Sequence, residues 1–247
     1  MIFSHILLFF LATALPYNIP TDSESQESSI IQTFQEDVTG DGYDETIELK
    51  GTLFSDDTNY YRNIWIDVSN KFEKEWKTSY GGGYEPELYF NDLNHDGVRD
   101  ILYQSATGGS GGLYNYQLHT LKDNKLDEIS LPEQPVSGEF RDDFKVEIKL
   151  TPTDKGQVID VSSRKTEYIK LGIYNETGKL IEAKSVMIDP IAFFEPSLIS
   201  VSKGYGLKSY QQISGAYRAD QLGTVETLWY YEDDKWIILQ TKWIPSE

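Results

Sequence analysis

The 247-residue chain contains no cysteine. That excludes disulfides, thiolate metal sites and cysteine nucleophiles. Histidine is nearly as scarce, with 3 residues. Basic side chains are outnumbered, 22 Lys and Arg against 40 Asp and Glu, for a net charge of −18. A nucleic-acid binder would carry a basic face, and none is evident. An anionic membrane surface is disfavoured for the same reason. No segment is long and apolar enough to be a membrane anchor, so stable membrane insertion is not expected. Such an acid excess suits cation binding and solubility.

What is present is aromatic and strand-forming. Tyr and Phe number 17 and 11, and aromatics make up 13% of the chain. Near the N-terminus, Ile6 to Leu15 is apolar apart from Thr13. The run is too short to span a bilayer as a helix. Ala12-Thr13-Ala14 fits the small-x-small pattern cut by signal peptidase, although no Lys or Arg precedes the run. An export signal over residues 1–14 is therefore expected, with a product that is secreted or held at the cell surface. Residues 15–29 are polar and read as a flexible linker. Residues 30–247 read as a single all-β domain.

Within that domain, Thr46-Ile47-Glu48-Leu49, Lys145-Val146-Glu147-Ile148 and Val158-Ile159-Asp160-Val161 alternate as half-buried strands do. Turn signals separate the strands, and Glu232-Asp233-Asp234-Lys235 predicts a hairpin. No stretch keeps a helical period over a dozen residues. Two acidic loops stand out, at residues 37–45 and 92–100, with Gly42 and Gly97 in matching places. Weaker echoes near Gly156 and Gly206 extend the spacing to a repeat of roughly 50 to 60 residues. That period predicts a propeller-like stack of about four blades, with a β-sandwich as the alternative.

Each loop puts oxygen side chains at its first, third, fifth and ninth positions and glycine at its sixth. Calcium, a hard cation, takes roughly six to eight oxygens, and a glycine permits the sharp bend. The candidate ligands of the first loop are Asp37, Thr39, Asp41, the Tyr43 carbonyl and Glu45. Those of the second are Asp92, Asn94, Asp96, the Val98 carbonyl and Asp100. The plainer reading is a turn held by Asx hydrogen bonds. An EF-hand fits poorly, because both loops run into strand-like sequence. The second loop is expected to bind more tightly, since the hydroxyl of Thr39 is a poor ligand.

The loops resemble the FG-GAP or VCBS repeats of integrin-α-like β-propellers. The matching residues are Asp37, Asp41, Gly42 and Glu45, then Asp92, Asn94, Asp96, Gly97 and Asp100, within roughly Ile30 to Leu131. The Phe-Gly and Gly-Ala-Pro signatures of that family are absent. The resemblance implies calcium held between blade strands for stability, in a secreted bacterial protein.

Two glycine-rich stretches, residues 81–86 and 107–116, lack the Lys-Ser/Thr of a phosphate loop. With Tyr84, Tyr114 and Tyr116 they are read as close-packed turns, or as a surface for a sugar or peptide. His119 is expected to point outward from a strand. No acid pair or nucleophile–base set emerges. The expectation is a secreted or surface calcium-binding module that meets an extracellular glycan or protein. The alternative is an extracellular hydrolase of a polymer.

Overall fold

The computed structural model of the chain describes residues 27–246. The expected export signal and nearly all of the expected linker lie outside the described residues. Among those described, the fold is all-β, in three sheets, none closed.

The first sheet has eight strands: β1 (Ser29–Glu36), β2 (Glu45–Leu53), β3 (Tyr60–Ser69), β4 (Glu75–Tyr80), β5 (Gly83–Asn91), β6 (Asp100–Ala106), β7 (Tyr114–Thr120) and β8 (Asp127–Ile129). Alternate residues of β2 and β3 point inward, as a pleat requires. Ile47, Leu49, Ile64, Ile66 and Val68 are buried together with Tyr80, Leu88, Ile101 and Tyr103 of β4 to β6. The Tyr80 and Tyr103 rings stack at 3.7 Å.

The second sheet is small: β9 (Ser137–Arg141), β10 (Lys145–Lys149) and β11 (Gln157–Asp160). A six-residue helix, α1 (Lys165–Lys170), follows. The third sheet holds four long strands in meander order: β12 (Met187–Ser200), β13 (Gly204–Ser214), β14 (Gln221–Glu232) and β15 (Lys235–Pro245).

One face of the third sheet joins everything. Leu207, Ser209, Gln211 and Ile213, alternate residues of β13, are all buried. At one end Leu207, Trp229, Ile191 and Phe194 pack on Leu93, Leu102 and Leu118 of the first-sheet half. At the other, Ile213, Leu222 and Val225 pack on Phe140, Val146, Ile148, Tyr168 and Tyr174. Gln104 locks the first of these contacts. Its amide donates to the Phe194 carbonyl at 2.7 Å and accepts from the Phe194 N–H at 2.8 Å. A side chain thus takes the place that a neighbouring strand would have.

This arrangement corrects the four-blade expectation. Three open sheets packed through shared faces fit the sandwich alternative, and the described residues form no propeller. The weak echoes of the repeat also dissolve. Gly156 sits in the turn between β10 and β11, and Gly206 lies within β13. His119 is corrected too: it faces inward, 5% exposed, with its ring edge-on to Tyr80. It pairs with Ile101 across the sheet, so it shares that residue's buried face.

Candidate metal centre

Both acidic loops are the connections of hairpins. The first joins β1 to β2, closing on Glu36 opposite Glu45; the second joins β5 to β6, closing on Asn91 opposite Asp100. Their backbones are built alike. Gly42 and Gly97 have φ of 85° and 86°, in the left-handed region that glycine adopts freely. The Gly42 N–H donates to Asp37 Oδ2 at 2.9 Å, and the Gly97 N–H to Asp92 Oδ2 at 3.1 Å. The Tyr43 N–H donates to Asp41, and the Val98 N–H to Asp96, each at 2.9 Å. The acid at the ninth place closes each loop. Glu45 Oε2 accepts from the Val38 and Thr39 N–H groups, and Asp100 Oδ2 from those of Leu93 and Asn94. Both acids are fully buried, as are Val38 and Leu93 at the second place. The equivalence of residues 37–45 and 92–100 therefore extends from sequence to hydrogen bonding.

The loops also touch one another. A Cβ on Gly40 would lie 2.7 Å from Val98 Cγ2. Arg99 of the second loop pairs with Glu36 at the start of the first. The acids of both loops are thus gathered at one end of the first sheet.

The loops differ in what is left over. In the first, Asp37 Oδ1 accepts from the Gly40 N–H at 2.7 Å, and Glu45 Oε1 from the Thr39 hydroxyl at 3.2 Å. The Asp37 and Glu45 carboxylates are thus satisfied by the chain itself. In the second, Asp92 Oδ1 and Asp100 Oδ1 are both buried without a hydrogen-bond partner. Burial, reinforced by Asp96 and Asp92, pushes the Asp100 carboxyl up to about 7, against the pull of the Leu93 and Asn94 N–H groups. Burial also raises Glu45, with the N–H of Val38 and the hydroxyl of Thr39 opposing. An orphaned buried carboxylate oxygen is costly unless it holds a proton or meets a cation.

Among the described residues, no three carboxylate or imidazole side chains form a ready metal cluster. The reason is visible in the loops, where the acids turn their oxygens onto main-chain N–H groups: both of Asp37, and one each of Asp41, Glu45, Asp92, Asp96 and Asp100. The other oxygens of Asp92 and Asp100 stay without a partner, while Asn94 and Asp96 bond to each other and Asp96 also accepts from the Val98 N–H. Lys122 Nζ donates to the Asp96 carbonyl at 2.7 Å, so a cationic group already approaches the outer side of this loop.

In the sequence His95 showed only as a residue inside the second loop, and Gln104 of β6 was missed. His95, at the fourth place of the second loop, is held at φ 62° and lies against the Tyr230 ring at 4.5 Å. Gln104 is a lone amide in the apolar run from Ile101, a polar interruption that could have marked a buried contact.

Comparison with known proteins places the relationship elsewhere than the loops suggest. The family described as the YybI C-terminal domain matches residues 134–244, the segment after the acidic loops. A Bacillus subtilis (strain 168) protein, described as the uncharacterized protein YybI, is 27% identical over 208 residues. The alignment covers 81% of this chain and 79% of that protein. No FG-GAP or VCBS family is found, which overturns that resemblance. The shared Asp-x-x-x-Asp-Gly spacing is a local hairpin device, and the sheets around it do not repeat. Among solved structures, the Bacillus licheniformis rhamnogalacturonan lyase PL11 and the exotype rhamnogalacturonan lyase YesX each match with a TM-score of 0.37 and 14% identity. They cover 87% of this chain, but only 34% and 33% of their own lengths. The chain spans about a third of those proteins, and at that TM-score the likeness carries no argument.

Proposed function

We propose that this chain is a calcium-stabilised binding module that acts outside the cell or at its surface, and is not an enzyme. The observation that carries the calcium reading is the pair of orphaned oxygens, Asp92 Oδ1 and Asp100 Oδ1, buried in one loop. Calcium sits about 2.3–2.6 Å from its oxygens, closer than the oxygen of a hydrogen-bonded water. Asp92, Asn94, Asp96, Asp100 and the Val98 carbonyl would hold it. Calcium would supply the charge that the buried carboxylates lack. The first loop, with Asp37, Thr39, Asp41, Glu45 and the Tyr43 carbonyl, is the weaker site, because both oxygens of Asp37 and of Glu45 already have partners within the chain, whereas Asp92 and Asp100 each keep one free.

A ligand that binds only the folded state adds about 2.7 kcal/mol at a hundredfold excess over Kd. In a chain without disulfides, that increment matters. The export signal expected over residues 1–14 would deliver the product to extracellular calcium, where even a weak site fills. The partner of the module is an extracellular glycan or protein.

Calorimetric titration of the full chain, with thermal melts in calcium and in chelator, tests the reading. We expect a heat of binding, a higher melting temperature in calcium, and loss of the tighter site in Asp96→Ala. Asp41→Ala removes the weaker site at a smaller cost. A melting temperature indifferent to chelator, with no heat of binding, rejects calcium at both loops.

A further inference from the structure

A second surface lies where the first and third sheets meet, away from the acidic loops. The inner face of the third sheet covers β6 and β7. Tyr114 of β7, Phe193 of β12 and Tyr210 of β13 come together there, with Tyr89 of β5 near enough to Tyr114 and Glu195 to feel their charge. Tyr114 and Phe193 lie 5.5 Å apart between ring centroids, and Phe193 stacks on Tyr210 at 4.7 Å. The rings are fixed by carboxylates. The Tyr89 hydroxyl donates to Glu87 at 2.5 Å, and the Tyr210 hydroxyl to Glu195 at 2.9 Å. Partial burial pushes Tyr89 up to about 12, followed by Glu87 and then by Tyr114 and Glu195. Glu195 thus faces tyrosines of both sheets. Glu226 adds a further negative charge beside Tyr210. The patch is open: Tyr89, Glu87 and Glu195 are exposed, and Tyr114, Phe193 and Tyr210 half-buried.

Lys208 stands across the ladder from Glu195, and Lys242 across from Glu226. Yet no ion pair to Glu87, Glu195 or Glu226 forms among the described residues. Ring faces carry negative quadrupole potential and attract ammonium and guanidinium groups, the more so with a carboxylate alongside. The net charge of −18 adds to that attraction. A neutral sugar would gain only stacking and hydrogen bonds there, and a polyanion would be repelled. Exposed and half-buried side chains spread over four strands suit an extended segment better than a free small cation.

We propose that the seam around Phe193 and Glu195 docks a lysine- or arginine-bearing peptide segment of a partner protein. The side-chain cations of that segment lie over the tyrosine and phenylalanine rings and against Glu195 and Glu87. This gives the binding-module reading a surface and a partner chemistry, and it is independent of calcium.

The test is fluorescence anisotropy of a labelled octapeptide of alternating lysine and glycine, titrated with the full chain in calcium at physiological salt. Phe193→Ala changes no charge, and Glu195→Gln changes one charge among many. Each is expected to weaken binding at least tenfold. Glu176→Gln, in a distant turn, is expected to leave it unchanged, and so is Asp96→Ala in the calcium loop. Thermal melts confirm that each variant is folded. Equal binding by Phe193→Ala and the parent means diffuse attraction and overturns the proposal. So does a parent that ignores the peptide, or one that binds a neutral hexasaccharide through Phe193 in its place. Unchanged peptide binding by Asp96→Ala leaves the seam standing even if calcium binding fails.

Discussion

Asp100 carries the sharpest consequence at the scale of single residues. Its Oδ2 closes the loop on two N–H groups, whereas its Oδ1 is buried without a partner. On the calcium reading proposed above, a cation faces Oδ1, and without one burial favours the protonated acid. Asp100→Asn should therefore act in opposite directions. In calcium the variant loses the tighter site, and its melting temperature falls. In chelator at pH 8 it sheds an unpaired buried charge and should gain about 1 kcal/mol. Melts of parent and variant in both buffers check the crossing, and a variant equally destabilised in both would reject the role of the oxygen. His119 gives a pH effect. Burial lowers its pKa below the ordinary 6.5, outweighing the opposing Glu128, and its Nδ1 has no partner. The unfolded chain takes up this proton first as pH falls. Stability from this group is complete above about 6.5 and declines below it, by up to about 1.4 kcal/mol per pH unit. His119→Gln should flatten the loss between pH 6.5 and 5 in urea titrations relative to the parent. A slope identical in both proteins would mean that the imidazole is not held neutral.

Among the elements, the strands and hairpins were the most legible in sequence, because their signals are local. Alternation located the cores of β2, β10 and β11, and the pair Asp233-Asp234 adopts φ of 51° and 58°, as a tight hairpin turn requires. The matching oxygens and glycines of the two acidic loops reappear as matching hydrogen bonds. His119 was misread because alternation gives two faces without saying which is buried; only the cross-strand neighbour Ile101 decides that. The long edge strand β15 carries a device that no pattern announced. The pairing with β14 jumps between Leu228 and Trp229, leaving Leu239 as an extra residue opposite the ladder. Such a bulge, with Lys242 and Pro245 further along, blunts an apolar edge that would otherwise pair with other chains. Deleting Leu239 should straighten the edge and raise the tendency to associate. Light scattering at increasing concentration would show it, and a deletion variant that stays as monodisperse as the parent would remove the edge-protection role.

At the scale of the whole molecule, the sequence said least, because assembly depends on contacts between distant segments. Gln104 bonds to Phe194 across 90 positions, and β3 hands the sheet on to β5 past the intervening β4. No periodicity encodes either. The expected blades failed for this reason: two equivalent loops sit in one sheet, and the chain then builds a different sheet to cover it. The second loop lies on that junction. Leu93 is fully buried among Ile191, Phe194, Leu207 and Trp229 of the third sheet. The His95 ring lies on Tyr230, with Lys203 Nζ over the same ring at 4.5 Å. A Cβ on Gly204 would come within 3.5 Å of the imidazole. Ordering residues 92–100 therefore orders the turn before β13 and the end of β14, whereas the small second sheet makes none of these contacts. Calcium should accordingly raise amide protection at residues 203–207 and 228–231, far along the chain from its ligands, and leave residues 145–160 unchanged. Hydrogen exchange by mass spectrometry on the full chain, in calcium and in chelator, reads this directly. A heat of calcium binding with no change at 203–207 would confine the ion to its own hairpin and end the case for it as a clamp between sheets.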